Sequence, residues 1–219
     1  MQPKNRTATE PPTSLEDIDW ARWIPREKAT LLFILKDQQI LLIHKKRGLG
    51  AGKINGPGGR LEPGETPIQA AIREVEEEVC VTPRQVRERG ELRFQFCDGY
   101  SILGTVFTAT DFTGEPRETD EAKPFWAPTD QIPYDRMWAD DRIWLPEMLA
   151  GRSFRGRFLF DGDRMLGHEL EILPPGPASE LPVGAADQDH PDGLEQNTQV
   201  EKRIHVPGII QIVENGIRK

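Results

Sequence analysis

Side chains that bind zinc or form disulfides are scarce in this 219-residue chain. Its two cysteines, Cys80 and Cys97, form no CxxC pair, and its four histidines are scattered along the sequence. Structural zinc sites take four such ligands, usually in closely spaced pairs. The sequence therefore argues against a zinc site and against a disulfide framework.

Long apolar runs are also missing. The first 25 residues contain acidic side chains and no apolar run, which is not the pattern of a secretory signal peptide. No stretch approaches the roughly 20 apolar residues that a membrane-spanning helix needs. We therefore expect a soluble, cytoplasmic protein with no membrane partner.

Positive charge is in deficit. The chain has 28 Lys and Arg against 36 Asp and Glu, which gives a net charge of -8. Such a chain repels the phosphates of a nucleic acid instead of neutralising them, so no nucleic-acid partner is expected. Binding of a small anionic substrate is still possible, provided that a metal ion screens its charge.

The composition predicts one packed core with polar additions. Hydrophobic residues make up 37% of the chain, which also has 20 glycines and 19 prolines. We predict an N-terminal extension over residues 1–25, a domain over residues 26–173, and a proline-rich polar tail over residues 174–219. The tail is expected to be disordered, because it has too few apolar side chains to form a core.

Apolar runs predict the strands of the domain. A hairpin is expected from residues 30–35 and 40–44, which flank a short polar break. A helix is also expected from the apolar pattern over residues 143–149, with Asp140 or Asp141 at its start and Gly151 at its end. Further strands are predicted at residues 92–97 and 102–109, from Phe125, and at residues 154–160 and 168–173.

The strongest local signal is a helix that follows a glycine-rich loop. The loop covers residues 48–64 and contains seven glycines. Thr66 fits the helix N-cap, Pro67 the first helical position and Gln69 the third, which makes a capping box. The predicted apolar face of the helix consists of Ile68, Ala71, Ile72, Val75 and Val79.

This helix also carries a cluster of glutamates. At about 100° per residue, Glu74, Glu77 and Glu78 fall within an arc of roughly 100°, whereas Glu76 lies outside it. Like charges at this spacing destabilise a helix by about 0.2–0.5 kcal/mol per pair. An acidic face often contacts only water. Here the glycine loop favours a ligand instead, and a hard divalent cation would compensate the carboxylates.

The loop and helix together resemble the Nudix box. Gly59, Glu65 and the run from Arg73 to Val81 match its pattern, except that Cys80 stands where the family has glycine. The resemblance implies an α/β (α+β) fold with a mixed β-sheet in an α/β/α sandwich. It also implies Mg²⁺-dependent hydrolysis of a nucleoside triphosphate to the monophosphate and pyrophosphate, with Mn²⁺ as the other candidate metal.

The same resemblance implies roles for particular residues. The implied catalytic residues are Arg73, Glu74, Glu77 and Glu78. In this set Arg73 orients the carboxylates, and Glu65 assists it. The implied metal ligands are the carboxylates of Glu74, Glu77 and Glu78 and the carbonyl of Gly58. The glycine at the end of the motif normally relieves a left-handed turn, and its replacement by Cys80 removes no metal ligand.

Other segments are similar to the branch of the family that hydrolyses oxidised purine nucleotides, such as 8-oxo-dGTP and 2-hydroxy-dATP. These segments are residues 45–59, 120–121, 130–133 and 137–141, with Trp144. By this resemblance Glu121 is a further metal ligand. The nucleotide pocket is lined by Thr30, Lys45, Asn55, Phe94, Trp138, Asp140 and Asp141. This chain departs from that branch at four positions, where smaller side chains replace larger ones: Leu49, Ile54, Pro57 and Ala122.

The pocket residues make chemical sense, but each has a plainer alternative. Trp138 offers a flat face for a purine, and two neighbouring aspartates can share a proton. Trp138 could equally be a core residue, and Asp140 only a helix N-cap. Two other functions stay open. One is a Nudix hydrolase of general (d)NTPs, nucleotide sugars or dinucleotide polyphosphates, and the other is a catalytically idle nucleotide-binding module. A monomer is expected.

Overall fold

A computed structural model describes residues 11–174 of the chain. Two short 3-10 helices lie at Leu15–Asp17 and Tyr134–Arg136. The helices are α1 (Pro67–Val79) and α2 (Asp141–Leu149). The strands are β1 (Glu27–Lys36), β2 (Gln39–Lys45), β3 (Ile54–Asn55), β4 (Val81–Arg84), β5 (Arg87–Phe96), β6 (Ser101–Ala109), β7 (Asp111–Gly114), β8 (Ala122–Pro128), β9 (Ser153–Asp161) and β10 (Arg164–Leu173).

The predicted strands and helices are present, although β3, β4 and β7 were not predicted and several strands begin earlier than expected. β1 begins at Glu27 instead of residue 30, and β10 at Arg164 instead of residue 168. β5 begins at Arg87, five residues before the predicted start, and β8 begins at Ala122 instead of Phe125. The predicted tail lies outside the described residues, apart from Pro174. Within residues 11–174, no helix is long and apolar enough to cross a membrane.

The main sheet is mixed, as predicted. Its strand order is β10-β9-β5-β6-β1-β2-β3, and β8 pairs with β2. The β1–β6 and β5–β9 pairs are parallel, whereas the other pairs are antiparallel. β4 and β7 form a separate two-stranded sheet.

The two helices pack against different sets of sheet side chains. Successive side chains of a strand point to opposite faces. Phe33 accordingly packs in one apolar cluster with Trp144 of α2. Its neighbours Leu32 and Ile34 pack in a second cluster with Val75 of α1. The two clusters on the two faces of the sheet confirm the predicted α/β/α sandwich.

β1 and β2 separate soon after their turn, and this separation creates room for the site. Their ladder holds only two residue pairs, beside a turn at Asp37 and Gln38 with φ of 51° and 61°. The glycine loop occupies the edge of β1 that β2 leaves free. Thr30 N donates to Gly59 O at 2.8 Å, and Leu32 N donates to Pro57 O at 2.9 Å.

α1 has the predicted cap, and Ala71, Val75 and Val79 of its predicted apolar face are buried. Thr66 and Gln69 form the capping box, and Pro67 opens the helix. Ile68, predicted to be buried, is 41% exposed, whereas Glu78 is 1% exposed. The prediction for Ile68 was wrong because this residue, in the first turn of α1, lies outside the apolar cluster that buries Ala71, Val75 and Val79.

The N-terminal extension packs on the domain over its described part. Trp23 Nε1 donates to Gln95 Oε1 of β5 at 2.9 Å. The Arg157 guanidinium of β9 lies over the Trp20 ring, 5.6 Å from its centroid. Residues 11–25 therefore cover part of the sheet through aromatic and polar contacts.

Candidate active site

A cavity of about 370 Å³ lies between β1, β6, the glycine loop and the segment before α2. It brings together most of the predicted site residues. Those that line it are Thr30, Lys45, Asn55, Gly58, Glu74, Glu78, Phe94, Glu121, Trp138, Asp140 and Asp141. Arg73 and Glu77 do not line it.

Glu78 is the buried carboxylate of the cavity. Its Oε2 accepts a hydrogen bond from Gly58 N at 2.8 Å, and its Oε1 accepts one from Lys45 Nζ at 2.8 Å. The same ammonium donates to Gly58 O at 3.0 Å. Burial raises the pKa of the Glu78 carboxyl, and the charge of Lys45 opposes that shift. The Gly58 carbonyl and the Glu78 carboxylate therefore both contact the same cation, the Lys45 ammonium.

Two glycines allow the loop to approach this end of the cavity so closely. A Cβ on Gly58 would lie 2.0 Å from Thr30 O, and a Cβ on Gly59 would lie 2.4 Å from the Glu74 carboxylate. Real Cβ atoms do not make contacts that short, so a side chain at Gly58 would push the loop away from the backbone of β1. A side chain at Gly59 would instead displace the Glu74 carboxylate from its position beside the loop.

Arg73 holds the carboxylates beside the cavity. Its Nε and Nη2 donate to the two oxygens of Glu65 at 2.7 and 2.9 Å. Its Nη1 donates to Glu74 and to Glu77, both at 3.0 Å. The hydrogen bonds from Arg73 lower the pKa of Glu65 to about 2. This arrangement agrees with an orienting role for Arg73, paired with Glu65.

The implied metal ligands suit a divalent cation in their chemistry, although their side chains do not surround a single point. Among residues 11–174, no three His, Cys, Asp or Glu side chains are arranged to hold a metal ion. Glu77 is 55% exposed and bonded to Arg73. Carboxylate and carbonyl oxygens are nevertheless the ligands that Mg²⁺ takes in proteins. The contact of Lys45 with Gly58 O and Glu78 shows that these oxygens accept a positive charge.

Asp140 and Asp141 are buried side by side at the start of α2. Asp140 Oδ2 accepts from Trp144 Nε1 at 2.8 Å, and Asp141 Oδ2 accepts from Trp138 N at 3.0 Å. Burial raises the pKa of Asp140 to about 6 and that of Asp141 well above its ordinary value. The side chain of Asp140 makes no capping hydrogen bond, so the plain N-cap alternative lacks its defining contact.

Aromatic rings and one free hydroxyl complete the lining. Trp138 is half-buried and meets Phe160 edge to face, with ring centroids 5.7 Å apart. Phe94 stacks on Phe158 at 5.4 Å. The hydroxyl of Thr30 is buried and has no hydrogen-bond partner within the described part of the chain. It is thus available to a ligand in the cavity.

Several lining residues were not predicted. Phe96 and Phe160 also line the cavity, and the two-residue period of β5 and β9 was a signal that could have found them. Tyr100 joins Glu27 and Arg60 at the cavity edge, where its hydroxyl donates to Glu27 Oε2 at 2.5 Å. No local pattern marks this last group, because its members come from three separate segments.

Comparison with known proteins assigns the class. The NUDIX domain family matches residues 25–148, so the chain belongs to the Nudix hydrolase family and is an enzyme, as its box predicted. Nudix hydrolases act on small nucleotide substrates and generally use a divalent metal ion.

Particular relatives share much of the chain. The oxidized purine nucleoside triphosphate hydrolase of Danio rerio is 42% identical over 144 residues, which are 65% of this chain and 92% of that protein. The protein of the same name from Mus musculus is 38% identical over 143 residues, again 92% of its length. The crystal structure of the MutT protein of Bacillus halodurans matches with a TM-score of 0.61 at 26% identity, over 66% of this chain and 97% of that one.

Proposed function

We propose that the protein hydrolyses oxidised purine nucleoside triphosphates, such as 8-oxo-dGTP and 2-hydroxy-dATP, to the monophosphate and pyrophosphate. This reaction would remove damaged nucleotides from the pool used for DNA synthesis. The names of the relatives support it. The observation that carries it is the buried pair of Asp140 and Asp141 in the cavity wall.

The aspartate pair suits the recognition of an oxidised base. Two close, buried carboxyls cannot both ionise cheaply, so the pair holds one proton near neutral pH. The protonated carboxyl donates to a base acceptor, while its partner accepts from a base N–H. Transfer of the proton within the pair lets one pocket accept two different hydrogen-bond patterns. Asn55 both donates and accepts, and Trp138 offers a stacking face.

The glutamates of α1 suit the phosphate chemistry. Glu74, Glu77, Glu78 and Glu121, with the Gly58 carbonyl, would hold Mg²⁺ or Mn²⁺. A bound metal neutralises charge on phosphate oxygens and lowers the pKa of an attacking water. Arg73 keeps Glu74 and Glu77 oriented, and Lys45 balances the buried charge of Glu78.

A substrate panel with Mg²⁺ tests the proposal by release of pyrophosphate. Hydrogen-bonding sites discriminate strongly, so kcat/KM for 8-oxo-dGTP and 2-hydroxy-dATP should exceed that for dGTP by at least about tenfold. Equal values for oxidised and normal nucleotides would indicate a general (d)NTP hydrolase. Cleavage restricted to nucleotide sugars or dinucleotide polyphosphates, or no cleavage of any substrate, would also overturn the proposal.

A further inference from the structure

A lysine contacts the indole of Trp138, a residue that lines the cavity. The Lys53 ammonium lies over the Trp138 ring, 4.8 Å from its centroid. Trp138 lines the cavity and Lys53 does not, so the lysine contacts the ring without being part of the cavity wall. A cation over an indole face is attracted by the quadrupole of the ring. The lysine therefore contributes to the orientation of the indole.

Asp163 holds the lysine in this position. Lys53 Nζ lies 2.9 Å from Asp163 Oδ2 in the turn between β9 and β10. The backbone of Lys53 is also fixed, because its N donates to Gly50 O at 2.9 Å and its O accepts from Lys45 N at 3.0 Å. The ion pair thus ties the turn between β9 and β10 to the glycine loop, with the indole beneath the lysine.

Two further contacts confine the same ring. A Cβ on Gly50 would lie 2.9 Å from Trp138 Nε1, so the loop backbone already meets the edge of the indole. Phe160 meets the ring at an interplanar angle of 89°. Trp138 itself belongs to no helix or strand. The orientation of its ring therefore depends on the contacts with Lys53, Gly50 and Phe160 and on the hydrogen bond from its backbone N to Asp141.

We propose that Lys53 is a positioning residue for the purine-binding face of Trp138 and that Asp163 keeps Lys53 in place. The inference rests on the proposed function only in that a base stacks on Trp138. Stacking is strongest when the ring plane is already fixed, because ordering a mobile ring costs part of the binding energy. Loss of the cation removes one of the contacts that fix the indole.

The first test removes the charge and keeps the length of the side chain. Lys53→Met should raise KM about two- to fivefold and leave kcat unchanged, because a partly exposed cation–π contact is weak and acts on binding. Lys53→Arg should restore the wild-type KM, and Asp163→Asn should raise KM in the same direction. Lys36→Met is the matched control, since Lys36 lies 5.5 Å from the Phe112 ring centroid and does not line the cavity.

A double-mutant cycle with Trp138→Leu decides whether Lys53 acts through the indole. The KM effect of Lys53→Met should vanish in the Trp138→Leu background. An equal effect in both backgrounds, or an unchanged KM in Trp138→Leu alone, would overturn the inference. The cycle is measured with whichever nucleoside triphosphate the wild type cleaves. Failure of the oxidised-purine proposal therefore shows in the substrate panel, separately from the outcome of the cycle.

Discussion

The ammonium of Lys45 lies 2.8 Å from Oε1 of Glu78, a carboxylate that is 1% exposed. Lys45→Met should therefore destabilise the metal-free protein, on the order of 3 kcal/mol, because it leaves a buried charge without its partner. Mg²⁺ should reverse part of that loss, since a metal ion replaces the missing positive charge. The measurement is the melting temperature of wild type and variant with and without Mg²⁺.

Lys46→Met is the control for this prediction. The adjacent Lys46 ammonium pairs with Glu118 at the surface, where both side chains are well exposed, so its removal should matter little. Equal stabilisation of wild type and Lys45→Met by Mg²⁺ would show that the lysine and the metal do not share Glu78.

The buried aspartates should govern the choice of base. Asp141→Ala should cut kcat/KM for 8-oxo-dGTP far more than for dGTP, because the oxidised base loses a buried hydrogen-bond partner. Asp140→Asn should narrow the range of accepted bases, since a fixed amide cannot exchange the roles of donor and acceptor. The measurement is kcat/KM over 8-oxo-dGTP, 2-hydroxy-dATP and dGTP. Ratios that both substitutions leave unaltered would exclude this pair as the base reader.

The same pair should make stability depend on pH. The pKa of Asp140 is raised to about 6 in the folded protein, whereas an unfolded aspartate has a pKa of about 3.9. Between those values the folded state binds more protons than the unfolded state, so the free energy of unfolding falls as pH rises. Asp140→Asn should flatten this fall in denaturant titrations across the window. Identical slopes for wild type and variant would contradict the raised pKa.

The cysteine in the Nudix box should carry a small conformational cost. Cys80 ends α1 with φ of 62° and ψ of 29°, the left-handed conformation that glycine adopts freely. A non-glycine residue in this conformation lowers the stability of the folded protein by about 1–2 kcal/mol. Glycine avoids that strain, but its greater conformational freedom in the unfolded chain lowers stability by about 0.4–1 kcal/mol. Cys80→Gly should thus stabilise the protein by up to about 1.5 kcal/mol at unchanged kcat. A loss of stability would show that the Cys80 side chain makes a compensating contact.

Local sequence signals predicted the parts of the site that depend on short segments. The capping residues Thr66 and Gln69 fixed the start of α1, and the left-handed turn expected at the end of the motif is present at Cys80. The resemblance to known Nudix sequences named eleven of the residues that line the cavity. The capping residues and the end of the helix could be predicted because caps and motif spacing are properties of neighbouring residues.

Features that depend on distant segments could not be read in this way. Helical periodicity placed Ile68 on the buried face, although only tertiary packing decides which turns of α1 are covered. The burial of Glu78 follows from contact with Gly58, twenty residues earlier in the chain. Likewise, the pairing of Trp23 with Gln95 joins segments that no local pattern connects.

The central claim is that the glutamate face of α1 performs the hydrolysis, and neighbouring positions of the helix test it directly. The measurement is kcat for pyrophosphate release from 8-oxo-dGTP at saturating Mg²⁺ in Glu77→Gln, Glu78→Gln and Glu76→Gln. The first two should lose at least about 10²-fold, because stabilisation of charge at the phosphates is lost. Glu76→Gln should keep wild-type kcat, since Glu76 lies outside the arc of Glu74, Glu77 and Glu78 and its carboxylate accepts a hydrogen bond from Thr82. Near wild-type turnover in Glu77→Gln or Glu78→Gln would contradict the account.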